Sequence, residues 1–211
     1  GRHPEVRDLI RRRLEGTRPA DPSDWRVPGL GGDIPRLLRS LRPRRIVPAA
    51  VLIPVVDRGD EPGLLLTVRA DHLKHHAGQI SFPGGRLESG DAGPEAAALR
   101  ETEEEIGLPP DRIQVAGFLP NYLTITGYSV TPVVAFVDPG AKLVADTTEV
   151  AEIFEAPLAH VLDPENIHRR SKRFMGLQLP YYEIPWQSYN IWGATAAMLV
   201  GLRETLYPED E

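Results

Sequence analysis

Between Glu101 and Glu105 the chain sets four carboxylates in five positions, and three of them could together hold a metal ion. On a helix turning about 100° per residue, Glu104 falls roughly 60° to one side of Glu101, and Glu105 roughly 40° to the other. Glu101, Glu104 and Glu105 therefore share one arc on adjacent turns, while Glu103 falls on another side. Like charges so placed repel, and the negative end of the helix dipole adds to the conflict. A solvated, inert acidic helix end is the plain reading of such a run. The other reading is a site for a hard divalent cation, Mg²⁺ or Mn²⁺, which takes a few carboxylates together with water and phosphate oxygens. The flanking residues favour the second. Arg100 stands four residues before Glu104 and could hold that carboxylate in place. Upstream, Phe82 to Gly85 read FPGG. Paired glycines let backbone approach a ligand closely, and Gly85 could offer its carbonyl.

Positioning these groups requires a helix, and its limits are marked. Pro94 suits a first helical position and Gly107 a stop just past the end, so a helix is expected over 94–106. Strands are expected at 46–56, 63–70, 78–82, 113–119 and 129–137, and at 149–158 a strand running into a helix start at PLAHVL. FMGLQL and YYEI are expected to be a hairpin arm and its partner. Residues 189–207 are expected to form one long helix, with Ile191, Trp192, Met198, Leu199, Leu202 and Leu206 at helical spacing. Toward the N-terminus, Val6, Leu9, Ile10 and Leu14 share one helical face. A Pro- and Gly-rich loop follows, and residues 34–42 have the pattern of a short helix. The sum is one domain of α/β or α+β type, a mixed sheet flanked by helices, at 46–207, with an N-terminal helical extension at 1–45.

A chain of 211 residues that is 41% hydrophobic can bury a full core. No apolar run reaches membrane-spanning length, the first residues lack a secretory h-region, and there is no cysteine. A cytoplasmic, reducing location is expected, without membrane association. The net charge of -6 argues against a dedicated nucleic-acid binder. Residues 1–50 nevertheless carry 12 Lys/Arg against 6 Asp/Glu, which leaves the remainder strongly acidic. A solvated amphipathic helix explains those arginines, and so does attraction of an anionic ligand. A homodimer is compatible with the sequence, which has no feature that decides it.

The segment from Gly85 to Leu108 resembles the Nudix box, Gx₅Ex₇REUxEExGU with U aliphatic, through Arg100, Glu101, Glu104, Glu105, Gly107 and Leu108. Thr102 occupies an aliphatic position. The loop before the helix is one residue longer than usual, with Asp91 near the place of the early glutamate. LLTVRADHLKHHAGQISFPGG, Leu65 to Gly85, is similar to the further signature of the coenzyme A pyrophosphatase branch, roughly LLTxR[SA]x₃Rx₃Gx₃FPGG, with Lys74 where arginine is usual. That branch also tends to carry the longer loop. Similarity continues through residues 126–136 and 191–196.

The resemblance implies the Nudix α/β/α sandwich and metal-dependent hydrolysis of a nucleoside diphosphate linked to another group. The substrate it implies is coenzyme A or a derivative, cut to 3′,5′-ADP and a 4′-phosphopantetheine species. Another nucleotide (ADP-ribose, a dinucleotide, a damaged nucleoside triphosphate) and a non-catalytic nucleotide sensor are the alternatives. By the motif, Glu101, Glu104 and Glu105 are the expected metal ligands, with the Gly85 carbonyl as a further one and Arg100 as their orienting partner. The general base is left open among Glu105, Glu101, Glu149 and Glu152, with Glu155 in the same segment. Arg69 and Lys74 are expected to contact phosphate, and Tyr128 to line the site. His75 and His76 have no partners spaced for zinc. Tyr189 and Trp192 read as core residues rather than as a stacking platform.

Overall fold

The computed structural model describes residues 4–27, 45–72, 78–174 and 176–209. The expected helix at 34–42, and Lys74, His75 and His76, lie outside the described residues. In chain order the elements are α1 (Pro4–Leu14), β1 (Trp25–Arg26), β2 (Val47–Val56), β3 (Gly63–Arg69), β4 (Ile80–Ser81), β5 (Gly84–Arg86), α2 (Pro94–Ile106), β6 (Ile113–Phe118), β7 (Asn121–Leu123), β8 (Tyr128–Val137), β9 (Val150–Pro157), α3 (Leu158–Leu162), β10 (His168–Phe174), β11 (Leu177–Trp186), β12 (Tyr189–Trp192) and α4 (Gly193–Leu206).

Strands β2 and β8 pair in parallel over their full lengths at the centre of a mixed sheet ordered β1-β7-β8-β2-β3-β4. On the side away from β8, two strands share β2. Strand β5 is in register with Ala49, Ala50 and Val51, and β3 with Val55 and Val56. Pro54 falls between them, where neither is registered against it, so a proline is tolerated in a central strand. Strand β9 adds to β3, with a bulge between Val68 and Arg69.

Both faces of β2 are covered, which is why its sequence is an unbroken apolar run rather than an alternating one. Ala50 and Leu52 pack with Ala97, Ala98, Val133 and Ala135 under α2. Ala49, Ile53 and Val55 face the other way, into a larger cluster with Ile10 and Leu14 of α1 and Leu199, Leu202 and Leu206 of α4. The first helix is thus packed into the main core. The residues after it are tied down as well: Phe118 N donates to Thr17 Oγ1 at 2.9 Å, Asn121 Nδ2 donates to the Asp21 carbonyl at 2.9 Å, and β1 pairs in parallel with β7. Among the described residues no helix is long and apolar enough to cross a membrane.

Two expectations are corrected. Residues 189–192 are a strand, not the start of a helix: β12 pairs antiparallel with β11 from Trp186↔Tyr189 to Glu183↔Trp192. Ile191 is fully buried while Trp192 is 39% exposed, the period of a strand. Helix α4 starts only at Gly193, whose φ of 65° the preceding residues could not easily adopt. FMGLQL, expected to be one arm, spans the end of β10 and the beginning of β11, so the hairpin turns within it.

Candidate functional site

Helix α2 runs from Pro94 to Ile106, with Gly107 in the left-handed region at φ 67° donating its N–H to the Glu103 carbonyl. Ala97 and Ala98 press its apolar face onto the sheet. This fixes the rotation of the helix, and with it the carboxylates. Glu105 is only 8% exposed. Glu101 is half-buried, and Glu103 and Glu104 are exposed. The last carbonyls of the helix are taken by the segment that precedes β9: Val144 N donates to the Ile106 carbonyl at 2.8 Å and Asp146 N to the Glu105 carbonyl at 2.9 Å. The Asp146 carboxylate then accepts from the N–H and hydroxyl of Thr148, and the Glu149 carbonyl accepts from Ala70 N. This stitched turn sets Glu149 beside the helix end.

Electrostatics link these groups. Burial pushes the Glu105 carboxyl up to about 8, helped by the charges of Glu101 and Glu149 and opposed by the Gly84 N–H and the charge of Arg69. Burial also raises Glu101, with the Arg100 guanidinium opposing and the charges of Glu104 and Glu149 adding to the rise. Arg69, from the end of β3, has a buried Nε with no hydrogen-bond partner among the described residues. The structure therefore brings Glu101, Glu105, Glu149 and Arg69 together.

Arg100 is the organising side chain. Its Nε and Nη2 grip both Asp91 carboxylate oxygens at 3.0 Å, and its Nη1 donates to Glu101 Oε1 at 2.9 Å. Glu104, its expected i,i+4 partner, stands farther off at 3.7 Å. Asp91, which also accepts from Glu88 N at 2.8 Å, is lowered chiefly by Arg100, and Arg100 is raised in turn. Gly85 lies in β5 directly against Glu101: a Cβ there would come within 2.7 Å of the Glu101 carboxyl.

The model of the NUDIX domain matches residues 46–177. The chain is 46% identical over 156 residues to the uncharacterized Nudix hydrolase NudL of Escherichia coli (strain K12), covering 72% of this chain and 78% of that protein. The chain belongs to the Nudix family. To NudL of Salmonella paratyphi B it is 47% identical over the same shares. Among solved structures, the Nudix hydrolase RenU of M. smegmatis aligns with 55% of this chain and 73% of its own, at 28% identity and a TM-score of 0.47. The protein is a Nudix hydrolase, a pyrophosphatase, and enzymes of this family generally use divalent ions such as Mg²⁺ or Mn²⁺.

Within the Nudix box, Thr102 replaces an aliphatic residue without exposing a polar group. It is fully buried and its hydroxyl donates to the Ala98 carbonyl, one turn back, at 2.7 Å. The box residues also suit a hard cation. The carboxylates of Glu101, Glu105 and Glu149 supply oxygen donors among the described residues, the charge of Glu149 raises the other two, and Gly85 has no Cβ to fill the space beside Glu101. Among the described residues no three acidic or histidine side chains already converge as a ligand set.

Other expected residues lie elsewhere. Glu152 is on the opposite face of β9, where the Tyr189 hydroxyl donates to it. Tyr189 stacks on Phe154 with ring centroids 3.8 Å apart. Glu155 is held by Arg58 at 2.9 Å near the far end of the strand. Tyr128, at the start of β8, accepts from Arg86 Nη2 at 2.7 Å. Sequence reading gave no role to Arg86 and did not pair Asp91 with Arg100. The acidic residue at the early-glutamate place, nine residues before an arginine, was the available signal for the second.

Proposed function

We propose that this Nudix pyrophosphatase cleaves the diphosphate of coenzyme A or a derivative of it, giving 3′,5′-ADP and a 4′-phosphopantetheine species. The observation that carries the reading is the meeting of two signatures at one carboxylate. Glu105 of the Nudix box feels the charge of Arg69 and the N–H of Gly84, both from the Leu65–Gly85 segment that resembles the coenzyme A branch.

In this reading Glu101, Glu104 and Glu105 would hold Mg²⁺ or Mn²⁺, with the Gly85 carbonyl as a further ligand. Such an ion, when bound, neutralises phosphoryl charge and acidifies water. The residues do the rest. Glu149, off the helix but close enough to raise both Glu101 and Glu105, takes the proton from the attacking water. Water oxygen bonds to phosphorus, the bridging P–O bond breaks, and its electron pair leaves with the second phosphate. Arg69, whose buried Nε has no hydrogen-bond partner among the described residues, holds a phosphoryl oxygen with its guanidinium. Arg100 touches no reacting atom: anchored on Asp91, it fixes the orientation of Glu101.

The test is to incubate the protein with coenzyme A and Mn²⁺ and to follow the nucleotide products, alongside ADP-ribose, dinucleotides and oxidised nucleoside triphosphates. A kcat/KM highest for coenzyme A or an acyl derivative is the expected result. No cleavage of coenzyme A between neutral and alkaline pH, with turnover of another of these nucleotides, would overturn it.

A further inference from the structure

Strand β5 presents its last two residues to opposite faces of the sheet. Gly85 is registered with Ala50, whose side chain packs under α2, and it abuts Glu101. Arg86 is registered with Ala49, whose side chain packs in the cluster on the other face. The Arg86 guanidinium therefore emerges one residue away from the box carboxylates but on the far side of the sheet.

There it is held at both ends. Its carbonyl accepts from Arg100 Nη2 at 3.3 Å, which ties its backbone to the residue that orients Glu101. Its Nη2 donates to the Tyr128 hydroxyl at 2.7 Å, and its guanidinium carbon lies 5.4 Å from the centre of the Tyr128 ring. Tyr128 is itself fixed by a closed turn: its N–H donates to Thr124 Oγ1 at 3.0 Å, and its carbonyl accepts from Thr124 N at 2.9 Å.

What the guanidinium lacks is a carboxylate. Other exposed arginines have one: Arg58 pairs with Glu155 at 2.9 Å and Arg112 with Asp138 at 2.6 Å. Arg86 is exposed and has no acidic partner among the described residues, in a chain of net charge -6. Among the described residues its one side-chain hydrogen bond is the one Nη2 gives to Tyr128, so the second Nη2 hydrogen, with Nε or with Nη1, still leaves one two-donor edge open. That edge is the fork that takes two oxygens of one phosphate or carboxylate. An arginine held in one orientation with its fork open is preorganised for an anion.

The anion is not the scissile diphosphate, which must meet the carboxylates on the α2 face. It is a second anionic group of the same ligand. We propose that Arg86, positioned by Tyr128, binds the phosphate monoester on the ribose 3′ position of the substrate, one ribose ring from the bond that breaks. Arg86 is then the residue that separates coenzyme A from its 3′-dephospho form. The inference rests on the substrate reading above, and deepens it.

The experiment compares kcat/KM for coenzyme A and for dephospho-coenzyme A in the wild type, R86Q, R86K and Y128F. A charge-assisted bidentate contact predicts a wild-type preference for coenzyme A of about 10- to 100-fold. That ratio should fall to near one in R86Q and be only partly restored in R86K, which has charge but no fork. In Y128F it should drop by a smaller factor, mostly through KM. Because the ratio is internal to each protein, general damage to folding cancels. Calorimetry of 3′,5′-ADP against 5′-AMP reads the same contact without turnover: the wild type should favour 3′,5′-ADP and R86Q should not. A wild-type ratio near one, or a ratio that survives in R86Q, overturns the role of Arg86 while leaving the substrate reading intact. Cleavage of neither compound, with 3′,5′-ADP and 5′-AMP bound alike, overturns both.

Discussion

Replacing Glu105 by glutamine should make the metal-free protein more stable at alkaline pH, although it removes a group placed in the active site. Glu105 is 8% exposed, and its carboxyl is raised from 4.5 to about 8, by burial first and then by Glu101 and Glu149. The folded state thus favours the protonated acid. For such a group the stabilisation is fully present below pH 4.5 and is lost as pH rises through about 8. At about 1.36 kcal/mol per unit, the cost of the charged form reaches at most about 5 kcal/mol. For a chain of this size that corresponds to a melting difference of about 10 °C or more. The assay is thermal unfolding of wild type and E105Q in a chelator from pH 5 to 9. The two should nearly coincide at pH 5 and diverge steadily, E105Q melting higher, until the gap levels off above pH 8. Glu101, also raised by burial, remains in both proteins, so the difference reports Glu105 together with its coupling to Glu101. Excess Mn²⁺ should close the gap by stabilising the wild type, with proton release on binding below pH 8. Parallel melting curves for the two proteins across this range would refute the idea that Glu105 is a strained, buried acid awaiting a cation.

Three further outcomes are expected. E149Q should lower kcat by about 10²- to 10⁴-fold with little change in substrate KM, whereas E152Q should lower it less than tenfold, measured under metal saturation. G85A would set a Cβ 2.7 Å from the Glu101 carboxyl, a flexible group that can move aside, so activity should fall while the melting temperature barely changes. By contrast, G84A would set a Cβ 2.3 Å from the Ala50 carbonyl oxygen, which is backbone, and should destabilise the fold by about 1–3 kcal/mol or more in denaturant unfolding. R100A strips Asp91 and Glu101 of their shared partner and should weaken Mn²⁺ binding by about 10- to 100-fold in calorimetry.

What could be read from the residues alone divides by the range of the interactions involved. Helix α2 was legible to the residue, because Pro94 and Gly107 mark its ends chemically and its apolar face repeats locally. The shared arc of Glu101, Glu104 and Glu105 is a matter of helical geometry and needs no partner strand, but burial at the site falls on Glu101 and Glu105 and leaves Glu104 exposed. Distinguishing Glu149 from Glu152 was different in kind. Both lie in the run TTEVAEIFE, and which of them meets the helix end depends on the Asp146 turn, on the bulge at Val68/Arg69 and on pairing with β3. None of these is a local property of that run. The same holds for Tyr189 to Trp192, whose apolar positions continue the spacing of α4 but whose hydrogen bonds go to β11. It holds for Arg100, where the nearby Glu104 was the obvious partner in sequence and Asp91 is the one that closes a loop onto it. In each case local periodicity offered a correct element or a plausible contact, and a long-range pairing chose between alternatives of similar local energy. Sequence therefore places the carboxylates of the Nudix box on one helix more readily than it says which residue from another element lies beside them. The proposal that Glu149 is the base rests on the Asp146 turn and the β3–β9 pairing that set it beside the helix end.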